Sequence, residues 1–314
     1  MDVYRRIEDV QPMKNTVLTI GSFDGLHRGH QEVIHEVVTT ARALEKKSVV
    51  VTFDPHPKHV LMPQDSFEVL MHVEKKLELL EFIGVDTVLV IPFDYKFSQT
   101  SAENFLQDVL IKYFNPSHII VGYDHRFGHN SEGDSEFLSM HREKGRYEVE
   151  VVAGVGDQDV ILSSTRIRNL IRDGHVRRAS FELGWQFGFE VIVVRGAGRG
   201  HSLNFPTANF VPENEAQLLP KTGVYFARAL IEDDIYYGMC NIGFRPTFGE
   251  NDFVMEIHMF DCHLDDLYGE TMEVQFLERI RDERKFDSTD DLKEQLERDR
   301  RFCASRINLY KEEE

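Results

Sequence analysis

The sequence predicts a two-domain α/β chain, in which a doubly wound parallel sheet is followed by an antiparallel β-sandwich or barrel with one terminal helix. Three observations predict it. The first half alternates β-branched runs with segments of helical period, the second half strings short strands together without long helices between them, and 314 residues exceed what one hydrophobic core usually serves. With 41% hydrophobic and 29% charged residues, each half can bury a core of its own.

In the first half the pairs are Thr16–Ile20 with Glu32–Leu44, Ser48–Phe53 with Val73–Ile83, and Val85–Ile91 with Ala102–Ile111, followed by a strand from His118 to Val121 and beyond. Val33, Ile34, Val37, Val38 and Ala41 recur on one helical face, and the strand before them is almost wholly apolar, as a strand covered on both sides should be. Ligands of such sheets gather where strands end and helices begin. After about Gly184 the expected strands are Phe189–Val194, Val224–Ile231, Ile235–Ile242, Val254–Phe260 and Met272–Phe276, with a charged helix from about Thr289. The boundary is expected near Leu183–Gly188, dividing the chain into 1–183 and 184–314.

A net charge of −18, spread along the chain with local excess at Asp287–Glu297 and Glu312–Glu314, argues against nucleic acid as a partner. The start, Met1 to Arg6, lacks the apolar core of a signal peptide, and no run approaches the roughly 18 to 20 apolar residues that cross a bilayer. A cytoplasmic protein with no membrane partner is expected. Cys240, Cys262 and Cys303 are odd in number and far apart, which disfavours a disulfide framework or a zinc site and leaves them as reduced thiols. Nothing in the pattern specifies an oligomeric state.

The strand Thr16–Ile20 runs into Gly21-Ser22-Phe23-Asp24-Gly25-Leu26-His27-Arg28-Gly29-His30 at a helix start. Glycines let the backbone approach a ligand closely, the helix N-terminus offers unpaired N–H groups to phosphate, and two histidines three apart face one way. Imidazole donors there suit charge that builds on a phosphorus centre in a transition state. For a lone histidine pair, capping or packing of a helix is the commoner role, and a zinc site lacks an obvious third ligand. A second phosphate cradle is Ser163-Ser164-Thr165-Arg166-Ile167-Arg168, opening a helix that Asp173-Gly174 closes; the plain alternative is N-capping by Ser163 or Ser164.

His27-Arg28-Gly29-His30 together with Ser164-Thr165-Arg166-Ile167-Arg168 resembles the nucleotidylyltransferase superfamily. Phe53-Asp54-Pro55-His56-Pro57 and Val121-Gly122-Tyr123-Asp124-His125-Arg126-Phe127-Gly128 resemble the flavin-side motifs of bacterial FMN adenylyltransferases. The resemblance implies a Rossmann-like domain that binds ATP through Gly21, Phe23, Asp24, His27, His30, Ser164, Thr165 and Arg168, and flavin through Phe53, Asp54, Pro55, Asp124 and Arg126. It implies in-line attack of the FMN phosphate on the ATP α-phosphate with magnesium, giving FAD and pyrophosphate. Ser22 stands where this family frequently has Asn, and His125 where Phe is frequent.

In the second half, Gly196-Ala197-Gly198-Arg199-Gly200 precedes Phe205-Pro206-Thr207-Ala208-Asn209-Phe210 without matching a Walker P-loop. Thr207 and Asn209 place two hard oxygen ligands on one side of an extended segment, fit for magnesium on ATP. Pro206-Thr207-Ala208-Asn209 resembles the signature of riboflavin kinases, and the likeness continues through Pro220–Tyr225, Asn241–Phe248, Asp266–Gly269 and Arg281–Phe286 in that family's order. It implies a six-stranded Greek-key barrel, phosphate contacts at Gly196, Gly198, Arg199, Gly200, Thr207 and Asn209, and magnesium at Thr207 and Asn209. Strand alternation alone puts Glu256 on a wet face; its family position implies the general base on the ribityl hydroxyl of riboflavin. Asn204 stands where these kinases often carry Gly. The rival classes are another nucleotidylyltransferase, a kinase with a degenerate N-terminal domain, and a flavin-binding module without catalysis.

Overall fold

The computed structural model describes residues 1–62, 64, 67–142, 146–157, 160–196, 205–247, 250–261 and 267–311. It divides into two compact units, Met1–Ser164 and Thr165–Glu314.

The first unit is built on six parallel strands: β1 (Asp2–Tyr4), β2 (Thr16–Ile20), β3 (Ser48–Asp54), β4 (Thr87–Pro92), β5 (Pro116–Gly122) and β6 (Glu148–Val152). Their order is β1-β4-β3-β2-β5-β6. All five residues of β2 are buried, and period-two alternation splits them between faces. Val17 packs with Val33, Val37 and Ala41 of α1 (Arg28–Ala43), while Leu18 and Ile20 face Leu106, Leu110 and Phe114. The order reverses between β2 and β5, so the carboxyl ends of these strands flank the crevice where such sheets take ligands.

Helix α1 starts four residues earlier than its apolar period indicates, because His27 caps it. The short α2 (Pro57–Leu61) and α3 (Val73–Ile83) follow β3. The helix expected over 102–111 is α-helical only in α4 (Ala102–Phe105) and continues as a π-helix over Leu106–Phe114. Buried positions 102, 105, 106, 109 and 110 suit either helical form, so sequence periodicity does not separate them. Edge strands β1 and β6 escape the apolar-run criterion because most of their residues are exposed. Helix α5 (Ser135–Met140) and the two-residue strands β7 (Gly156–Asp157) and β8 (Val160–Ile161) complete the unit.

The second unit contains nearly all of α6 (Ser164–Arg172), then α7 (Val176–Leu183) and a closed antiparallel barrel. The barrel strands are β9 (Gly188–Val194), β10 (Ala208–Pro212), β11 (Gly223–Ile231), β12 (Asp234–Thr247), β13 (Glu250–Met259) and β14 (Thr271–Arg281), in the order β10-β13-β12-β11-β14-β9. Closure leaves no open sheet edge. Strands β12 and β13 run further than the expected 235–242 and 254–260, since ladder pairing continues through the glycine- and proline-bearing stretch out to Thr247 and Glu250.

The terminal helix α8 (Thr289–Lys311) seats Cys303 and Tyr310 against Phe226, Met239 and Leu277 of the barrel. Arg281 of β14 holds the buried Asp299 of α8 through Nε at 2.9 Å and Nη2 at 2.8 Å. Helices α6 and α7 are tied by Glu182, which is 0% exposed and takes bonds from Arg166 at 2.9 to 3.0 Å and from Arg178 at 2.8 Å. Cys240 and Cys303 are buried free thiols, and Cys262 lies outside the described residues.

Candidate functional site

In the first unit the chain leaves β2 through a loop that needs left-handed backbone at Phe23, Gly25 and Leu26 before α1 begins. His27 Nδ1 accepts the backbone N–H of His30 at 3.3 Å, which leaves Nε2 as the nitrogen that can donate. The His27 and His30 rings stack with centroids 3.7 Å apart, and Phe23 meets His30 edge-on at 5.4 Å. A side chain at Gly29 would crowd the His27 ring, reaching it at 3.1 Å, so glycine preserves the stack. The His30 Nδ1 atom is enclosed without a hydrogen-bond partner among the described residues. Burial, then the fields of His27 and Lys76, hold His30 well below the usual histidine range, so its ring is neutral.

Asp24 is 3% exposed and turns its carboxylate to the N–H of Leu70, at 3.1 and 3.4 Å. Ser164 donates its hydroxyl to the Asp24 carbonyl at 2.9 Å, so the first residue of α6 is tethered to the histidine loop.

Asp54 closes β3 and is exposed, while Phe53 is half-buried against Phe93, Phe97 and Phe105 at centroid distances of 5.6 to 6.4 Å. The aromatic array continues through Phe127 to His125, whose ring lies nearly parallel to Phe127 at 5.6 Å. The His125 Nε2 atom is buried and unpartnered among the described residues, and burial, with the Arg126 charge second, pushes His125 down to about 4. Arg126 pairs with Asp134, the residue that caps α5, and Asp124 is exposed.

In the second unit, Met255, Ile257 and Met259 of β13 are buried in the barrel, so alternation turns Glu256 and His258 to its outer face. There they line a cavity of about 1000 Å³ together with Thr207, Asn241, Arg281 and Phe286. Glu256 stands opposite Asn209 of β10 and Asn241 of β12 in the ladder, which puts all three side chains on one face. Thr207 donates its hydroxyl to Glu256 at 3.1 Å. His258 Nδ1–H donates to the Pro206 carbonyl at 2.7 Å, fixing the backbone immediately before Thr207. A Cβ at Gly196 would come within 2.0 Å of the Asn209 amide nitrogen, so glycine is required there by close approach. Burial, then the Glu256 charge, pushes the Cys240 thiol well up and keeps it protonated.

A family model described as FAD synthetase matches residues 9–166, and one described as riboflavin kinase matches 183–307. The bifunctional riboflavin kinase/FMN adenylyltransferase of Bacillus subtilis is 33% identical over 289 residues, covering 91% of this chain and 90% of the relative. That of Escherichia coli K12 is 34% identical over 301 residues, covering 96% and 95%. The chain belongs to this bifunctional family. Its FAD synthetase part is N-terminal and its riboflavin kinase part C-terminal, and its activities are phosphorylation of riboflavin and adenylylation of FMN. A solved structure from Streptococcus pneumoniae, described as a macrolide-efflux protein, is 33% identical and superposes with a TM-score of 0.87, covering 96% of this chain and 98% of that one. Among the described residues no helix is long and apolar enough to cross a membrane.

Within the FAD synthetase part, Gly21, Phe23, Asp24 and His27 lie on one loop, His30 in the first turn of α1 and Ser164 on the tether, whereas Phe53, Asp54 and Pro55 lie at the end of β3 and Asp124 and Arg126 just beyond β5. Thr165 and Arg168 follow on α6, with Arg168 buried. Within the kinase part, Gly196, Thr207, Asn209 and Glu256 converge, while Gly198, Arg199 and Gly200 lie outside the described residues, as do Asn204, Phe248 and Asp266. Two residues that the motifs do not single out stand beside these sites. His258 shares the Glu256 face, which strand alternation reveals, and Lys76 occupies the apolar stripe Val73, Lys76, Leu77, Leu80 of α3, where a lysine is out of pattern.

Proposed function

We propose that riboflavin is phosphorylated on the outer face of the barrel with Glu256 as general base, and that the FMN formed is adenylylated at the His27–His30 loop. The observation that carries the first assignment is the Thr207–Glu256 hydrogen bond, with Asn209 directly opposite Glu256 in the ladder. A carboxylate so held can take the proton of a ribityl hydroxyl, and the cavity of about 1000 Å³ is large enough for a flavin beside a nucleotide. Thr207 and Asn209 would contact magnesium that arrives with ATP. Two neutral oxygens are a poor cage for a free cation and a good complement to one already bound by phosphates, and among the described residues no cluster of three or more His, Cys, Asp or Glu forms a separate metal site. When bound, magnesium neutralises phosphate charge.

For adenylyl transfer, His27 offers Nε2–H and neutral His30 its own ring hydrogen to the α-phosphate, and Ser164, Thr165 and Arg168 hold the outer phosphates. Gly21, Phe23 and Asp24 shape this cradle, while Phe53, Asp54, Pro55, Asp124 and Arg126 border the flavin. Gly196, Gly198, Arg199 and Gly200 contact the ATP phosphates in the kinase. The two catalytic parts divide as 1–183 and 184–314, and the protein works in the cytoplasm on ATP, riboflavin, FMN and FAD.

The test is a time course with riboflavin, ATP and magnesium, resolved by chromatography of the flavins. FMN should appear first and FAD after it. Glu256→Gln should lose riboflavin phosphorylation by about 1000-fold, the middle of the range for a general base, yet convert supplied FMN to FAD at the original rate. Loss of both activities in a folded variant contradicts the assignment.

A further inference from the structure

A buried cation, Lys76, acts on the histidine loop from α3. It sits on the inner stripe of α3 and is 5% exposed. Its ammonium donates to the Ser22 carbonyl at 2.8 Å and to Thr52 Oγ1 at 3.3 Å, and Thr52 donates in turn to the same Ser22 carbonyl at 3.3 Å. Ser22 opens the loop that carries Phe23, Asp24 and His27; Thr52 is two residues before Asp54 at the end of β3. One side chain thus pins the carboxyl end of β2, which flanks the ligand crevice, to that of its neighbour β3.

Both acceptors are neutral oxygens; burial holds Lys76 below the usual lysine range, and the nearby carboxylates, Asp24 first and Asp54 second, offset that only in part. A buried ammonium held this way costs folding free energy that a methionine on the same stripe would not. A basis for keeping it is the charge itself, aimed at a crevice that binds phosphate.

We propose that Lys76 is a positioning residue for adenylyl transfer: its ammonium fixes the Ser22 carbonyl, and through it the histidine loop, and places a positive charge beside the crevice in which His30 donates its ring hydrogen. This rests on the assignment of adenylyl transfer to His27 and His30. The titratable groups acting on His30 are His27 from its own loop and Lys76 from α3, with Asp24 and Asp54 acting on Lys76. Removing the lysine charge makes His30 easier to protonate, so the acid limb of adenylyl transfer moves to higher pH.

The experiment measures FMN adenylylation across pH in the full chain, with riboflavin phosphorylation by the same preparation as the control for intact protein. Lys76→Met should lower kcat about 100-fold, as a small misplacement of reacting groups does, with KM for FMN and ATP changed less than about threefold. Its acid limb should rise by about one pH unit, the usual reach of a neighbouring charge. Lys76→Arg should keep the limb at its original position. His30→Ala is run alongside. If it retains FAD formation, the site assignment itself fails; if it abolishes FAD formation while Lys76→Met keeps kcat or leaves the limb unmoved, the Lys76 proposal alone is overturned. Should Lys76→Met unfold the first unit, imidazole titration by NMR in the unsubstituted chain decides. A His30 ring still neutral at pH 5.5 agrees with the proposal, and one that protonates at the ordinary histidine value overturns it.

Discussion

The two halves of this chain differ in how they hold their most deeply buried ionisable groups. In the second unit the buried carboxylates are paired, although Arg279 Nε bonds nothing among the described residues: Asp299 receives two bonds from Arg281 and one from Gln295, and Glu182 receives Arg166 and Arg178. In the first unit the buried cationic-type groups are left short of partners. His30 Nδ1 and His125 Nε2 bond nothing among the described residues, and the Lys76 ammonium rests on two neutral oxygens. Paired charges of the first kind fasten helices to a barrel or to each other. Unsatisfied nitrogen near the carboxyl ends of the parallel strands fits a different use, since a native structure keeps such a cost where a ligand relieves it.

The sharpest way to break the comparison is to unpair a charge in the second unit. Asp299→Ala leaves Arg281 facing an emptied, buried site and should destabilise the barrel by about 3 to 5 kcal/mol, the cost of removing one partner of a buried ion pair. The only tryptophan, Trp185, lies in the second unit, so denaturant unfolding followed by its fluorescence reports that loss directly. A change below about 1 kcal/mol would place this pair among the weak surface bridges.

A smaller effect is expected in the first unit at His125, whose folded value of about 4 lies below the ordinary 6.5. Protons then prefer the unfolded chain, so this group's contribution is complete above pH 6.5 and is lost as pH falls toward 4, by about 3 kcal/mol in total. His125→Phe removes the titrating group and should flatten the acid slope of first-unit stability, measured by hydrogen exchange of β2, β3 and β5 amides. An unchanged slope would mean that His125 is protonated in the folded protein.

How much of this is legible in sequence differs between the same two regions. The parallel sheet announces itself through β2 and β3, where uninterrupted apolar runs meet helices of regular period. The histidine loop is legible because glycine, imidazole and a helix start fall within ten residues. Lys76 is not, since Lys75-Lys76 reads as ordinary helix surface until Val73, Leu77 and Leu80 are known to face inward. In the barrel, five strands are visible by alternation, but β10 is short and shares its residues with the Thr207–Asn209 motif, so it reads as a ligand-bearing segment. The pairing that makes Glu256 meaningful, opposite both Asn209 and Asn241, is a long-range register that no local pattern encodes.

The most direct test of two separate reaction centres feeds riboflavin, ATP and magnesium to His30→Ala and follows both products. FMN should form at the unsubstituted rate and accumulate, with FAD formation reduced by about 100-fold, the loss expected when one transition-state donor is removed. If FAD still follows FMN at its original rate, or if FMN formation collapses as well in a protein that retains its fold, the two-centre account is wrong.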